Sequence, residues 1–130
     1  MNKSLSPLRY PGSKYKIYGE VKNLIEINKF GDRSYVEPFA GGFGIGLGLL
    51  RDNVVQTVIL NDFDSHIYNF WHTILNHSED FLQIMTETPI TIEEREHQKK
   101  VYEDLTSDQV MDAFATFFLN RVNFSGVITG

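Results

Sequence analysis

The glycine-rich turn at residues 40–44 is the feature that most constrains the fold of this chain. Residues 35–44 read YVEPFAGGFG, which is an apolar run typical of a buried strand, then a proline, then three closely spaced glycines leading into a helix-compatible segment. Glycine has no Cβ, so it permits positive φ and lets a ligand approach the main chain. We therefore expect a sharp turn whose backbone is open to a ligand.

An acidic residue follows this turn at a spacing typical of a nucleoside-binding site. Asp62 lies 21 positions after Gly41. It follows a second apolar run, TVIL at residues 57–60, from which it is separated by one asparagine. A carboxylate at the tip of the next parallel strand can accept hydrogen bonds from both hydroxyls of a ribose. The pattern predicts a β–α–β unit that binds a nucleoside-type cofactor. The alternative is a glycine-rich turn beside a solvated aspartate.

Length and composition indicate one globular domain and exclude some kinds of site. A chain of 130 residues with 42% apolar residues is long enough to bury a core. It contains no cysteine, so disulfides and thiolate metal sites are excluded. The longest apolar runs are too short to cross a bilayer, and we expect a soluble, cytoplasmic protein without a membrane partner.

The net charge of −5 is unevenly distributed along the chain. Residues 1–30 carry six basic and two acidic side chains, whereas residues 31–130 carry six basic and fifteen acidic ones. Proteins that bind nucleic acid usually present a basic face. By itself, this chain is therefore expected to bind a polyanion weakly.

Hydrophobic periodicity and capping residues predict an α/β protein with two adjacent parallel strands in its first half. The connection between the strands should be a right-handed helical crossover. The predicted elements are a helix over 14–28 that is capped by Ser13 and followed by Gly31, with Ile17, Val21, Leu24 and Ile25 on one face, strands over 34–38 and 57–61, and a helix over 44–51.

The second half has a helical pattern. Asp64 is a plausible cap for a helix that carries Ile67, Phe70 and Trp71, and capping boxes are predicted at Thr91 and Thr106. The last helix should bury an apolar stripe formed by Phe114, Phe117 and Phe118, although the same rings could form a base-stacking platform. The histidines His66, His72, His77 and His97 show no metal-ligand spacing and are interpreted as helix-surface residues.

Four sequence blocks together resemble the Dam-like DNA adenine-specific methyltransferases. They occur in the order found in that family and cover most of the chain. The fourth is similar to the segment that opens the family's DNA-recognition region. The blocks are PLRYPGSK at residues 7–14, EPFAGG at 37–42, NDFD at 61–64 and LNRVNFSG at 119–126.

The resemblance implies a partial Rossmann-like fold that binds S-adenosylmethionine and methylates the exocyclic amine of adenine in duplex DNA, as in restriction–modification. It implies a cofactor-binding region over residues 1–118 and the start of a DNA-recognition region over 119–130. The implied cofactor-binding residues are Tyr10, Lys14, Glu37, Phe39, Ala40, Gly41, Gly42, Asp62 and Phe63, and the implied DNA-binding residues are Asn120 and Arg121.

The chemistry of S-adenosylmethionine is compatible with these roles. It carries no phosphate, so the turn need not follow the spaced dinucleotide pattern. Its carboxylate could pair with Lys14 if the N-terminal segment folds over the turn, and Glu37 is positioned for its ammonium group. The alternatives are that Lys14 is a solvated lysine at the start of a helix, that Tyr10 is a core aromatic residue, and that Glu37 only braces the turn.

The catalytic motif of the family does not occur in this sequence. That motif is an Asp or Asn followed by two prolines and an aromatic residue, whereas the four prolines here are Pro7, Pro11, Pro38 and Pro89. The resemblance therefore assigns no catalytic residue to this chain. It implies an N-terminal fragment that does not methylate DNA and whose incomplete sheet favours self-association.

Two other functions remain open from the residues alone. A carboxylate after the second strand also suits a dinucleotide-dependent oxidoreductase domain, although the G-x-G-x-x-G register is missing. The third reading is a non-catalytic module for cofactor binding or protein interaction, in which Phe114, Phe117, Phe118 and Phe124 pair with another surface.

Overall fold

A computed structural model describes residues 5–10 and 12–128. The chain divides after Asp62 into two compact units. In the described residues, the first unit contains a small parallel sheet with helices and the second unit is helical. Pro11, which belongs to the first sequence block, and residues 129–130 lie outside the described residues. The expected functional division after residue 118 stays a prediction.

The elements follow the predicted order, with one helix more than the sequence indicated. A 3-10 turn at Lys14–Ile17 precedes the first helix and another, at Phe124–Gly126, follows the last. The strands are β1 (Tyr35–Glu37) and β2 (Val58–Leu60), and the helices are α1 (Tyr18–Ile27), α2 (Gly44–Arg51), α3 (Ser65–Asn76), α4 (Ser78–Glu87), α5 (Ile92–Glu103) and α6 (Gln109–Val122).

The two strands are parallel and adjacent, as predicted. Val36 pairs with Ile59 and Glu37 pairs with Leu60. Helix α2 connects the strands, because a parallel pair needs a crossover and cannot be joined by a hairpin. This arrangement brings residues 37–42 and 61–62 to the same edge of the sheet. The fold is thus a mixed, helix-rich α/β structure with a small sheet.

The core of the first unit lies around α2. Its buried members are Tyr18, Ile45, Leu49, Val54 and Val55, and Val21 and Ile25 of α1 pack against them. The predicted face of the first helix was only partly correct.

Ile17 and Leu24 are 50% and 61% exposed instead of buried. Ile17 belongs to the 3-10 turn, so it does not follow the α-helical periodicity. On α1, the residues that form or contact the core are Tyr18, Val21 and Ile25, and Leu24 stays exposed.

Helix α1 ends at Ile27, and the left-handed residue beyond its end is Lys29 instead of the predicted Gly31. Lys29 takes a left-handed conformation with φ of 56°. The N–H of Phe30 donates to the carbonyl of Ile25 (2.9 Å) and that of Lys29 to the carbonyl of Glu26 (3.1 Å). This is the hydrogen-bond pattern of a Schellman motif, which satisfies carbonyls at the helix end.

Aromatic rings form the core of the second unit. Phe70 of α3 contacts Phe81 of α4 at a centroid distance of 5.9 Å, and Phe81 contacts Phe114 of α6 at 5.8 Å. Phe114 and Phe118 are 1% and 5% exposed, so the predicted burial of the α6 stripe is confirmed for them. Edge-to-face packing of these rings joins the three helices.

The helix boundaries in this unit differ from the predictions in two places. Helix α4 was not predicted, because it follows α3 directly and buries only Phe81, which gives a weak periodic signal. The capping box at Thr106 was wrong: Asp108 caps α6, and Thr106 donates from its hydroxyl to Asp104 at 2.7 Å. The caps at Asp64 and Thr91 are confirmed.

Helix α2 starts from a left-handed residue whose ring fills the space above a glycine. Phe43 has φ of 50° and is 2% exposed. A Cβ on Gly46 would collide with the Phe43 ring. Glycine at this position therefore allows Phe43 to fold back onto the first turn of its own helix.

Gly46→Ala should destabilise the protein by about 1–3 kcal/mol, the usual cost of overpacking a core. Gly19→Ala is the matched control, because a Cβ there meets nothing within 4 Å. That change should stabilise α1 by about 0.5 kcal/mol, since alanine loses less backbone entropy than glycine. Urea unfolding of both variants checks the prediction, and a neutral Gly46→Ala would contradict the packing described for Phe43.

An ionic cluster joins α1 to α2 and should make stability depend on pH. The Tyr18 hydroxyl donates to Asp52 at 2.6 Å, Arg51 Nε donates to the same carboxylate at 2.7 Å, and Lys22 lies 3.5 Å away. Hydrogen bonds from Arg51 and Tyr18 hold the pKa of Asp52 well below its ordinary value. Burial and the bond to Asp52 raise the pKa of Tyr18 to about 12.

The stabilisation from Asp52 should be complete above its unfolded pKa of about 4 and decline as the pH falls below that value. The stabilisation from Tyr18 should be complete below its unfolded pKa of about 10 and be lost as the pH rises through the folded value. Urea unfolding across this pH range measures both slopes. Asp52→Asn should flatten the acidic slope, and an unchanged slope would show that the cluster does not contribute.

Candidate functional site

The glycine turn follows the carboxyl end of β1 and is hydrogen-bonded to the residues that follow β2. Gly41 takes a left-handed conformation with φ of 49°. Its N–H donates to Asp62 Oδ2 at 2.7 Å, and the N–H of Ala40 donates to the carbonyl of Asn61 at 2.9 Å. The predicted glycine turn and the predicted acid are therefore in direct contact, although they are 21 positions apart.

Asp62 lies just beyond β2 with its carboxylate against the turn. An ionised carboxylate offers about four lone-pair positions for hydrogen bonds, and the bond from Gly41 uses one of them. This bond fixes the side chain at the edge of the sheet where open parallel sheets bind ligands. Its assignment as a ribose ligand stays a prediction.

The N-terminal segment folds over the glycine turn, as the role predicted for Lys14 requires. A Cβ on Gly41 would lie 2.8 Å from the Tyr10 ring, and one on Gly42 would lie 3.0 Å from Tyr10 Cβ and 3.1 Å from Ser6 Oγ. The close approach that glycine permits here is thus used by the protein's own N-terminal segment. The sequence had led us to expect a ligand in that role.

Lys14 is held by two acceptors of this turn. Its ammonium donates to the carbonyl of Phe39 at 2.6 Å and lies 3.6 Å from Glu37 Oε2. Its side chain is 50% exposed, whereas that of Glu37 is only 5% exposed. Lys14 is therefore more than a solvated lysine at the start of a helix, since it bridges the N-terminal segment to the turn.

Glu37 is a buried carboxylate with two partners. Besides the Lys14 ammonium, it accepts a hydrogen bond from the Tyr35 hydroxyl at 3.0 Å. Burial and the adjacent Glu37 charge raise the pKa of Tyr35, so its hydroxyl keeps the proton that it donates. A buried charge is tolerated only when it is paired and hydrogen-bonded, and Glu37 meets both conditions.

Two cavities in the first unit differ in position and in lining. The cavity at the glycine turn has a volume of about 40 Å³. It is lined by Lys14 and its neighbours in the N-terminal segment, by Glu37 and by the turn itself. A larger cavity of about 380 Å³ lies at the amino end of β1, between Ile25, Phe30 and Val36. We favour the smaller one as the site, because parallel sheets bind ligands at the carboxyl ends of strands.

The remaining predicted residues of the turn and of the second strand differ in exposure. Phe39 is 68% exposed and Ala40 is 3% exposed. Phe63 is the first residue of the second unit, and its ring is 93% exposed. The role in cofactor binding that the resemblance implies for Phe63 stays a prediction.

The two residues predicted to bind DNA differ in their surroundings. Asn120 is 1% exposed, and its amide donates to the carbonyl of Gly126 at 2.8 Å. Its side chain thus holds the turn that follows α6. Arg121 is exposed and lines an apolar cavity of about 250 Å³ with Phe117 and Phe118. Their roles toward DNA stay predictions.

A buried polar network in the second unit was missed at the level of sequence. Asp112 of α6 is 5% exposed and accepts hydrogen bonds from Asn69 Nδ2 at 2.7 Å and from His66 Nδ1 at 2.6 Å. The His66 ring also stacks on Tyr102 at 3.9 Å. The interpretation of His66 as a helix-surface residue was therefore wrong. An aspartate within an apolar stripe was the available signal.

The described residues contain no cluster of three or more histidine or acidic side chains that could hold a metal ion. Within the same part of the chain, no helix has the length and apolar character needed to span a membrane.

Comparison with known proteins supports the resemblance. The model of a family described as D12 class N6 adenine-specific DNA methyltransferase matches residues 10–129. The matched range contains every residue predicted above to bind cofactor or DNA. No curated protein matches the chain.

Proposed function

The chain belongs to the D12 class of N6 adenine-specific DNA methyltransferases, and we propose that it binds S-adenosylmethionine at the carboxyl ends of β1 and β2. The observation that carries this proposal is the set of charged groups on the glycine turn. Three charged groups surround this glycine-rich turn. They are the carboxylate of Asp62, the buried carboxylate of Glu37 and the ammonium of Lys14. S-adenosylmethionine supplies an activated methyl group when bound.

The chemistry of these groups matches the functional groups of the cofactor. The Asp62 carboxylate suits the two ribose hydroxyls, since hydroxyls donate hydrogen bonds to charged acceptors. The Glu37 carboxylate and the carbonyl of Phe39 are acceptors that suit an ammonium group, and they already bind one in Lys14. Lys14 in turn is the cation for the cofactor's carboxylate. Phe39, 68% exposed, offers an apolar flank beside them.

We also propose that the β1–α2–β2 unit is part of a Rossmann-like sheet. The parallel register and the helical crossover support this. Duplex DNA is the proposed macromolecular substrate, with Arg121 as a contact to its backbone. No observation favours the oxidoreductase or the non-catalytic module. Self-association and a cytoplasmic location stay predictions.

Asp62→Ala should weaken binding of S-adenosylmethionine by about 1.5–3 kcal/mol, the usual range for hydrogen bonds to a charged group. Isothermal titration calorimetry measures the effect. Asp64→Ala is the matched control: the Asp64 side chain caps α3 by accepting from the N–H of His66 at 2.9 Å. This change should cost about 1 kcal/mol of stability and leave affinity unchanged. Undiminished affinity in a folded Asp62→Ala protein would refute the ribose assignment.

The 130-residue chain should transfer no methyl group to DNA by itself. Methylation of an adenine amine requires the base to leave the duplex and be held beside the cofactor. The paired prolines of the family's catalytic motif are absent from this sequence, and residues 31–130 carry fifteen acidic against six basic side chains, which disfavours binding of a polyanion. Duplex DNA incubated with the chain and methyl-labelled S-adenosylmethionine should stay unlabelled. Labelled adenine would show that the chain contains a complete catalytic site.

A further inference from the structure

The Lys14 ammonium lies between two oxygen acceptors of the glycine turn. Its Nζ atom lies 2.6 Å from the carbonyl oxygen of Phe39 and 3.6 Å from Glu37 Oε2. A carbonyl and a carboxylate at these distances form a site for a cation with several N–H donors. The protein fills this site with a side chain of its own N-terminal segment.

The burial of Glu37 explains why this position is filled. Its side chain is 5% exposed, and its other partner, the Tyr35 hydroxyl, carries no charge. Lys14 is the one cation close to Glu37 among the described residues, and removing it is costly, because the charge is then left without compensation in a poorly solvated place. Lys14 can therefore leave Glu37 at low cost only when another cation takes its place.

The small size of the cavity at the turn is consistent with an N-terminal segment that covers the turn in a closed position. Its volume is about 40 Å³, which is room for a few water molecules and far below the roughly 300–1,000 Å³ of typical ligand pockets. The Tyr10 ring lies directly on Gly41, and the Tyr10 Cβ lies against Gly42. The amino-acid end of a ligand can enter this cavity only if the segment that carries Tyr10 and Lys14 shifts.

We propose that Lys14 is a placeholder for the ammonium group of the cofactor, and that binding exchanges one ammonium for the other. This inference rests on the proposed function. An α-amino acid brings an ammonium and a carboxylate together. The ligand's ammonium replaces Lys14 on Glu37 and Phe39, and the released Lys14 pairs with the ligand's carboxylate. No covalent bond is made or broken, and the single ion pair between Lys14 and Glu37 is replaced by two ion pairs with the ligand.

The exchange makes Lys14 a specificity-determining residue. A ligand with an ammonium and a carboxylate displaces Lys14 from Glu37 and then forms an ion pair with it. A ligand with an ammonium but no carboxylate displaces Lys14 and leaves it without a new ion pair. An adenosine derivative with neither group leaves Lys14 in place. The site is thereby selective for the intact amino-acid end of the cofactor.

The test compares three probes by calorimetry: S-adenosylmethionine, its decarboxylated form, and 5′-methylthioadenosine. The decarboxylated form should bind about three- to fivefold more tightly to Lys14→Met than to the unmodified protein, because no lysine ammonium then competes for Glu37. This factor is the ratio of affinities that corresponds to the loss of one half-exposed ion pair. Preference for S-adenosylmethionine over that form should fall roughly tenfold. Methylthioadenosine should bind equally to both proteins.

Lys16→Met is the matched control, since Lys16 is an exposed lysine of the same 3-10 turn and should leave all three affinities unchanged. If Lys14→Met weakens binding of the decarboxylated form, the placeholder is refuted while the cofactor site stands. If neither protein binds any of the probes, both the placeholder and the proposed cofactor site are refuted.

A second measurement needs no ligand. Acetylation of amines, followed by mass spectrometry, should proceed several-fold more slowly at Lys14 than at Lys16, because an ammonium held by a carboxylate and a carbonyl reacts slowly. Glu37→Gln should bring the two rates close together. Equal rates in the unmodified protein would overturn the placeholder, whatever the binding experiments show.

Discussion

The hydrogen bond between the Gly41 N–H and the Asp62 carboxylate is the contact on which the candidate site depends. It forms because parallel pairing brings the carboxyl ends of β1 and β2 to one edge of the sheet. A carboxylate that accepts from a main-chain N–H is fixed in direction, and the left-handed turn at Gly41 points that N–H toward it. The remaining groups of the site take their positions from this turn.

The glycines of the turn have a structural use that is independent of any ligand. Tyr10 and Ser6 approach Gly41 and Gly42 so closely that a Cβ would collide with them or crowd them. This packing brings the N-terminal segment to the edge of the sheet and Lys14 to the buried Glu37. The glycines therefore let the protein's own N-terminal segment cover the turn. Under the proposed exchange, this segment has to open when the cofactor binds.

The second unit combines an aromatic core with buried polar side chains that have defined partners. Asp112 lies on the same helix as Phe114 and Phe118, yet it is satisfied by His66 and Asn69. Asn120 is buried two positions after Phe118 and fixes the following turn through the carbonyl of Gly126. Hydrogen bonds have directional requirements that apolar contacts lack, so such groups specify one arrangement of the helices. The polar side chains at these positions therefore contribute to how the helices pack within this unit.

Much of the first unit could be predicted from the sequence, because local signals there coincide. An apolar run, three glycines and an acid after the next run are sufficient to predict adjacent parallel strands and a turn that meets Asp62. The caps Asp64 and Thr91 were also readable, since a cap depends on neighbours within three residues.

Other features were decided by contacts between residues distant in the chain. Sequence could not show that Tyr10 rather than a ligand lies on the glycines, that Lys14 binds Glu37, or that His66 is paired with a buried Asp112. Charged and polar residues carry no periodic signal for their partners, because a solvated lysine or histidine and a paired one have the same local sequence. Only the tertiary structure decides which of them are buried together, since that depends on how strands and helices pack.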